Sequence, residues 1–200
     1  PNIDPYADKF SISQSEQTDN MLELVNSYLD STINYLILPE TFLIQPIWEN
    51  KFFNNLDIKK FQILIDKYTT QHIESKNQFS SLNIIVGATT LGISEKGPKS
   101  KPFNNHKNQW YQVYNSAIHL TNKFSTDDSI AIFSVEKYHK SKLVPGAEQM
   151  PFQKYLYPIF GNKLLKIGSS NSIGNFSSQD SVSIFSSYIY EQLNLIAPII

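Results

Sequence analysis

Two stretches with apolar residues three and four positions apart stand ahead of a series of β-rich runs, and that order restricts the fold most. Over residues 16–30, Leu22, Val25 and Leu29 share one helical face. From Asp57 to about Ser75, Phe61, Leu64, Ile65, Tyr68 and His72 share another, with Asn55 or Asp57 available as N-cap. Between them Asn34 to Leu38 reads as a short buried strand ended by Pro39, followed by an aromatic-rich, loop-like segment from Phe42 to Phe53. The runs Leu82 to Leu91, Trp110 to Leu120 and Ile130 to Val135 read as strands. Ser94 to Asn108 reads as a loop, Ser125 to Asp128 as a turn, and Phe152 to Phe160 as a short helix or irregular turn. A serine- and asparagine-rich loop over residues 169–183 leads into Val182 to Phe185, and Leu193 to Ile200 is the last expected strand.

Amphipathic helices need an apolar sheet face to cover, so this pattern predicts an α/β sandwich of helices over sheet. A doubly wound nucleotide fold is not expected, because no glycine-rich phosphate loop follows any strand. At 200 residues the chain can bury one domain's core. Its formal net charge of -1 gives no electrostatic reason to expect a nucleic-acid partner. The absence of cysteine excludes disulfides and thiolate metal sites within these residues. No run of about 18 apolar residues is present to span a membrane. The chain opens on Pro1 and closes inside an apolar run, which reads as the interior of a longer polypeptide.

Two segments carry candidate chemistry. Glu40 stands where the apolar run Tyr35-Leu36-Ile37-Leu38 breaks at Pro39, and ligand sites in open α/β sheets form beyond such strand ends. By position alone it is more simply a capping or solvent-facing glutamate. Lys140 follows the Ile130 run and precedes Pro145-Gly146, with Glu148 farther along. Taken singly, Lys140 reads as a solvated lysine beside Lys137 and Lys142, and Glu148 says less still. His72 falls on the apolar stripe and reads as a hydrogen-bonded core residue. His106, His119 and His139 lack metal-ligand spacing, and Asp127-Asp128 reads as a turn.

Together these segments form a pattern. It comprises Pro1-Asn2-Ile3-Asp4-Pro5 with Lys9-Phe10, the Pro39-Glu40-Thr41 turn, and Tyr114-Asn115-Ser116-Ala117. It continues with Tyr138-x-Lys140-x-x-Leu143-Val144-Pro145, Glu148, Pro151-Phe152 and the closing Ala197-Pro198-Ile199-Ile200. In this order the chain resembles the nitrilase (carbon–nitrogen hydrolase) superfamily, and within it the nitrilase-like domain of the apolipoprotein N-acyltransferases. The Lys-x-x-Leu-Val-Pro block with its trailing glutamate is the part specific to the acyltransferases. Gly146-Ala147 departs from the aromatic-glycine step usual before that glutamate, so the loop shape there is expected to differ.

The resemblance implies an αββα nitrilase-like sandwich, here a single domain over residues 1–200. One protomer half of the sandwich is expected, incomplete at both ends, with the parent's transmembrane segments outside it. It implies Glu40 as general base, Lys140 as oxyanion-stabilising ammonium and Glu148 as helper carboxylate. The nucleophilic cysteine is expected just after Ile200, so these residues alone should be inactive. No metal or other cofactor is implied. The partners implied are a phospholipid acyl donor, an apolipoprotein acceptor and a membrane surface, with the domain on the periplasmic side of a bacterial inner membrane. Phe42 and Trp48, in the aromatic segment, are the expected substrate contacts, or else ordinary loop packing. The alternatives are a cytosolic amidase of the same superfamily and a non-catalytic binding domain of the same fold.

Overall fold

Among the described residues the first helix is α1 (Gln14–Tyr28), and Ser13 begins it by accepting a hydrogen bond from the Glu16 amide at 3.2 Å. Asn55 does the same for α2 (Leu56–Lys76), its Oδ1 accepting from the Ile58 amide at 3.0 Å. The cap is therefore Asn55, not Asp57. The computed structural model describes residues 12–76, 79–94, 104–106, 109–125, 130–148, 152, 155, 159, 176–190 and 192–198. The expectations for Pro1 to Phe10, Asp127-Asp128, most of Phe152 to Phe160, and Ile199-Ile200 lie outside the described residues.

Among the described residues eight strands accompany the helices: β1 (Tyr35–Ile37), β2 (Leu43–Trp48), β3 (Asn83–Ser94), β4 (Asn104–His106), β5 (Gln109–Ser125), β6 (Ile130–His139), β7 (Phe185–Ile189) and β8 (Gln192–Ile196). The first six make one mixed sheet with β3 and β5 at its centre. Strands β1 and β2 both run parallel to β3 on the same side, Ile37 opposite Ile85 and Leu43 opposite Ala88. Strands β4 and β6 run antiparallel to β5.

Alternation along these strands sorts their side chains to two faces. Ile84, Val86 and Ala88 of β3, with Ile118 and Leu120 of β5, meet Phe61, Leu64, Ile65 and Tyr68 of α2 and Met21 of α1 in one apolar core. Residues such as Phe61 and Ile65 are fully buried, and truncating a side chain of this kind typically costs about 2–5 kcal/mol. On the other face the β7–β8 hairpin packs through Phe185 against Ala117 and Tyr138. The protein is thus a mixed α/β fold in which helices flank a mixed sheet. Among the described residues no helix is long and apolar enough to cross a membrane.

Several elements differ from the sequence expectation. The segment Phe42 to Phe53 is strand β2 followed by a 3-10 turn (Glu49–Asn54), not a loop. Pro46 fits because the β2–β3 register shifts between Leu43 and Ile47, freeing its position from the ladder. Strand β1 is an outer strand, not a buried one, and Ile37 is 72% exposed. Strand β6 continues to His139, so Lys140 sits immediately after a strand end. Part of the expected 94–108 loop, Asn104 to His106, pairs back onto β5. His72 is a core residue, its Nε2 on the Ser31 carbonyl at 3.1 Å.

The hairpin is held down mainly by Glu136 of β6. Its carboxylate accepts from Lys123 Nζ at 2.7 Å, the Ser186 amide at 2.8 Å, Ser186 Oγ at 2.9 Å and His119 Nδ1 at 3.1 Å. Burial pushes this carboxyl up, but the bonds from Lys123, Ser186 and His119 outweigh it and hold the pKa at about 2. A depressed carboxyl contributes stability that is present above its ordinary value of 4.5 and lost as pH falls toward 2. Hydrogen exchange across that interval is expected to show the Ser186 amide losing protection before the amides in the middle of α2. Simultaneous loss at both places would refute this.

Candidate functional site

Glu40 lies in the gap between β1 and β2, where the chain leaves the edge of β3 and returns to it. The Leu38 amide still bonds the Ile85 carbonyl at 2.8 Å, and the Gly87 amide reaches the Pro39 carbonyl at 3.2 Å. This pins both ends of the Pro39-Glu40 step against β3 while Pro39, lacking an N–H, ends the strand. Glu40 follows with its side chain 48% exposed.

Lys140 arrives from the other side of the sheet. Its amide bonds the Asn115 carbonyl at 2.8 Å, which extends the β5–β6 pairing by one step beyond Ser116 and His139. The side chain, 10% exposed, carries Nζ to Glu40 Oε1 at 2.9 Å and to Glu148 Oε1 at 3.2 Å. Glu148 is delivered by a tight turn. Its amide bonds the Val144 carbonyl at 2.9 Å while its Oε2 accepts from the Val144 amide at 2.8 Å. Gly146, with φ of +86°, supplies the left-handed step in that turn, so the departure at Gly146-Ala147 still presents the carboxylate.

All three expected catalytic residues therefore converge on one ammonium. A fourth residue joins them. Asn115 Nδ2 donates to Glu40 Oε1 at 2.7 Å and to Glu148 Oε1 at 2.8 Å, so two donors are shared by two carboxylate oxygens. Desolvation works against the Lys140 charge, but the bonds to Glu40 and Glu148 prevail and raise its pKa. Desolvation likewise pushes Glu148 up, and the Val144 amide, Asn115 and Lys140 outweigh it and lower its pKa. Lys140 is thus fixed as a cation and Glu148 as an anion.

Beside Glu40 lies a cavity of about 270 Å³ walled by Ile37, Leu38, Ile85, Gly87 and Ala117. Ala117 also belongs to the cluster of Tyr138 and Phe185 on which Ile196 packs. Strand β8 accordingly leads toward the wall of this cavity. The arrangement offers a carboxylate with one open side, a buried ammonium and an apolar recess, which suits base-assisted attack on a carbonyl.

Phe42 and Trp48 do not join the site. Phe42 is 6% exposed and packs in the core, its ring centroid 6.3 Å from that of Phe61, which accords with ordinary packing. Trp48, at the end of β2, is half-buried with its ring edge-on to Tyr111 at 5.1 Å, and it does not line the cavity. Among the described residues Glu40 is not enclosed, its side chain being 48% exposed.

Asn115 is the member of this cluster to which the sequence alone assigns no role. A signal existed, since asparagine is disfavoured inside strands and needs a partner there. Among the described residues no group of three or more His, Cys, Asp or Glu side chains is placed to hold a metal ion. No protein-family model, curated protein or solved structure matches this chain, so any family reading rests on its own residues and geometry.

Proposed function

We propose that these residues form the nitrilase-like domain of an apolipoprotein N-acyltransferase, one half of an αββα sandwich facing the periplasm at a bacterial inner membrane. The observation that supports this most is that Glu40, 100 positions from Lys140, and Glu148 both place a carboxylate oxygen within 3.2 Å of the Lys140 Nζ. The nucleophile in this reading is a cysteine thiol from outside these 200 residues, which contain none.

Glu40 takes the thiol proton, because only the thiolate is a competent nucleophile. The thiolate attacks the acyl ester carbonyl of a phospholipid, and the charge that collects on oxygen is met by the Lys140 ammonium. Collapse forms the thioester and expels the lysophospholipid alkoxide, which takes the proton back from Glu40. The α-amine of a diacylglyceryl-cysteine then attacks the thioester, losing its proton to Glu40, which passes it to the departing thiolate as the C–S bond breaks. Glu148 and Asn115 hold Lys140 and Glu40 at fixed separation throughout.

The test uses a fluorescent-acyl phospholipid and the intact protein that carries this segment. A hydroxylamine-labile acyl-protein is expected to form and to discharge onto a lipopeptide amine. Glu40→Gln should slow its formation by about 10²-fold or more, and the 200-residue chain alone should take up no label. Labelling of the cysteine-free chain, or release of free fatty acid with no transfer to amine, would overturn the assignment.

A further inference from the structure

We propose that Glu49 is a positioning residue for the Lys140 centre, acting from the opposite face of the sheet through His139. The inference rests on the acyl-transfer reading above. Side chains alternate along β5 and β6, so Asn115 has Ser116 as its neighbour on the other face, and Lys140 follows His139 directly. Ser116 and His139 are themselves register partners.

On that second face one carboxylate gathers the strands. Glu49 Oε1 bonds His139 Nε2 at 2.6 Å and accepts from Thr90 Oγ1 at 3.0 Å, while Oε2 takes the Lys137 ammonium. Thr90 Oγ1 lies 2.7 Å from Ser116 Oγ, which brings in β5. The His139 ring stacks on Tyr114, centroids 3.8 Å apart and planes 9° from parallel. Gly92 leaves room for this approach, since a Cβ there would come within 3.0 Å of the Tyr114 ring and 3.4 Å of Glu49 Oε2.

The Glu49 side chain is 11% exposed. Burial pushes its carboxyl up, but His139 and Lys137 hold it down at about 2, so it stays ionised. A buried charge of this kind adds little to stability that well-packed apolar residues would not supply. What it adds is direction, because each of its bonds fixes an angle as well as a distance. Fixing the His139 ring fixes the backbone of Lys140, and with it the reach of Nζ to Glu40.

The experiment measures reductive methylation of individual lysines by mass spectrometry in the intact protein. Glu49→Gln and His139→Gln are each expected to raise the Lys140 rate about fivefold, and the double variant no further, because contacting residues act as one unit. Glu49→Asp keeps the charge one carbon short and serves as the milder probe should Glu49→Gln fail to fold. Lys60, which pairs with Asp19 between the helices, is the control and should be unchanged. An unmoved Lys140 rate overturns the proposal, as does an equal rise at Lys60, which would signify general loosening. Acylation measured alongside should show kcat falling about tenfold at constant KM. A wild-type protein that never acylates removes the acyl-transfer reading, while the Lys140 rates still decide the role of Glu49.

Discussion

If the acyl-transfer proposal holds, Lys140→Met is expected to slow acyl transfer by about 10²–10³-fold, and in any case to weaken the fold at neutral pH. Methionine has similar length and keeps the packing of the aliphatic stem, so the loss is that of the charge. Without the ammonium, Glu40 and Glu148 face each other across Asn115 alone, which can donate but not neutralise. Glu148, 15% exposed, bears most of the cost, because Glu40 opens to solvent. A stability loss of about 1–3 kcal/mol follows from leaving such a group short of its partner.

The pH dependence identifies the cause. Lys140 is raised above its ordinary 10.5, so its contribution is complete below that value and fades as pH climbs through the raised one. Glu148 is lowered below its ordinary 4.5, so its contribution is complete above that value and fades as pH falls through the lowered one. The stability gap between wild type and Lys140→Met should therefore be flat between about pH 4.5 and 10.5 and narrow on either side. Urea denaturation at pH 7 and pH 3 measures it. A gap of the same size at both would assign the effect to lost packing and remove the ion pair from the account.

How much of this could be read beforehand depended on the range of the interaction. Helix α2 was legible almost to the residue because Phe61, Leu64, Ile65, Tyr68 and His72 repeat at the period of their own element. Strand β2 was not, since Pro46 and Gln45 break the alternation and its partner β3 lies 40 or more residues on. The full length of β6 was also hidden. Its last residues, Glu136 to His139, are polar or aromatic because they serve Glu49 and the hairpin, and not the apolar core. Glu40, Lys140 and Glu148 were legible through the order of their flanking residues, not through periodicity. The Glu49–His139 pair carried no local signal at all, its members being 90 positions apart.

Gly87→Ala should damage the site as severely as removing one of its charged groups, although Gly87 bears no functional atom. A Cβ at this position would overlap the carbonyl oxygen, carbonyl carbon and Cα of Glu40. All three are backbone atoms, so no side chain can rotate aside, and the Pro39-Glu40 step itself must move off β3. That movement breaks the Gly87 amide bond to Pro39 and carries the Glu40 carboxylate away from Lys140 and Asn115. Overpacking of this kind costs about 1–3 kcal/mol, and a displacement of about 1 Å at a reacting group can cost about 10²-fold in rate. Gly92→Ala is the informative comparison, because its Cβ meets the Tyr114 ring at 3.0 Å and the Glu49 carboxylate at 3.4 Å, side-chain atoms that need shift by only a few tenths of an ångström. Thermal unfolding and single-turnover acylation of the two variants should rank Gly87→Ala well below Gly92→Ala on both measures. Near-wild-type values for Gly87→Ala would mean that the Glu40 turn has freedom to retreat from β3, and that its contact with Lys140 is not held by the sheet.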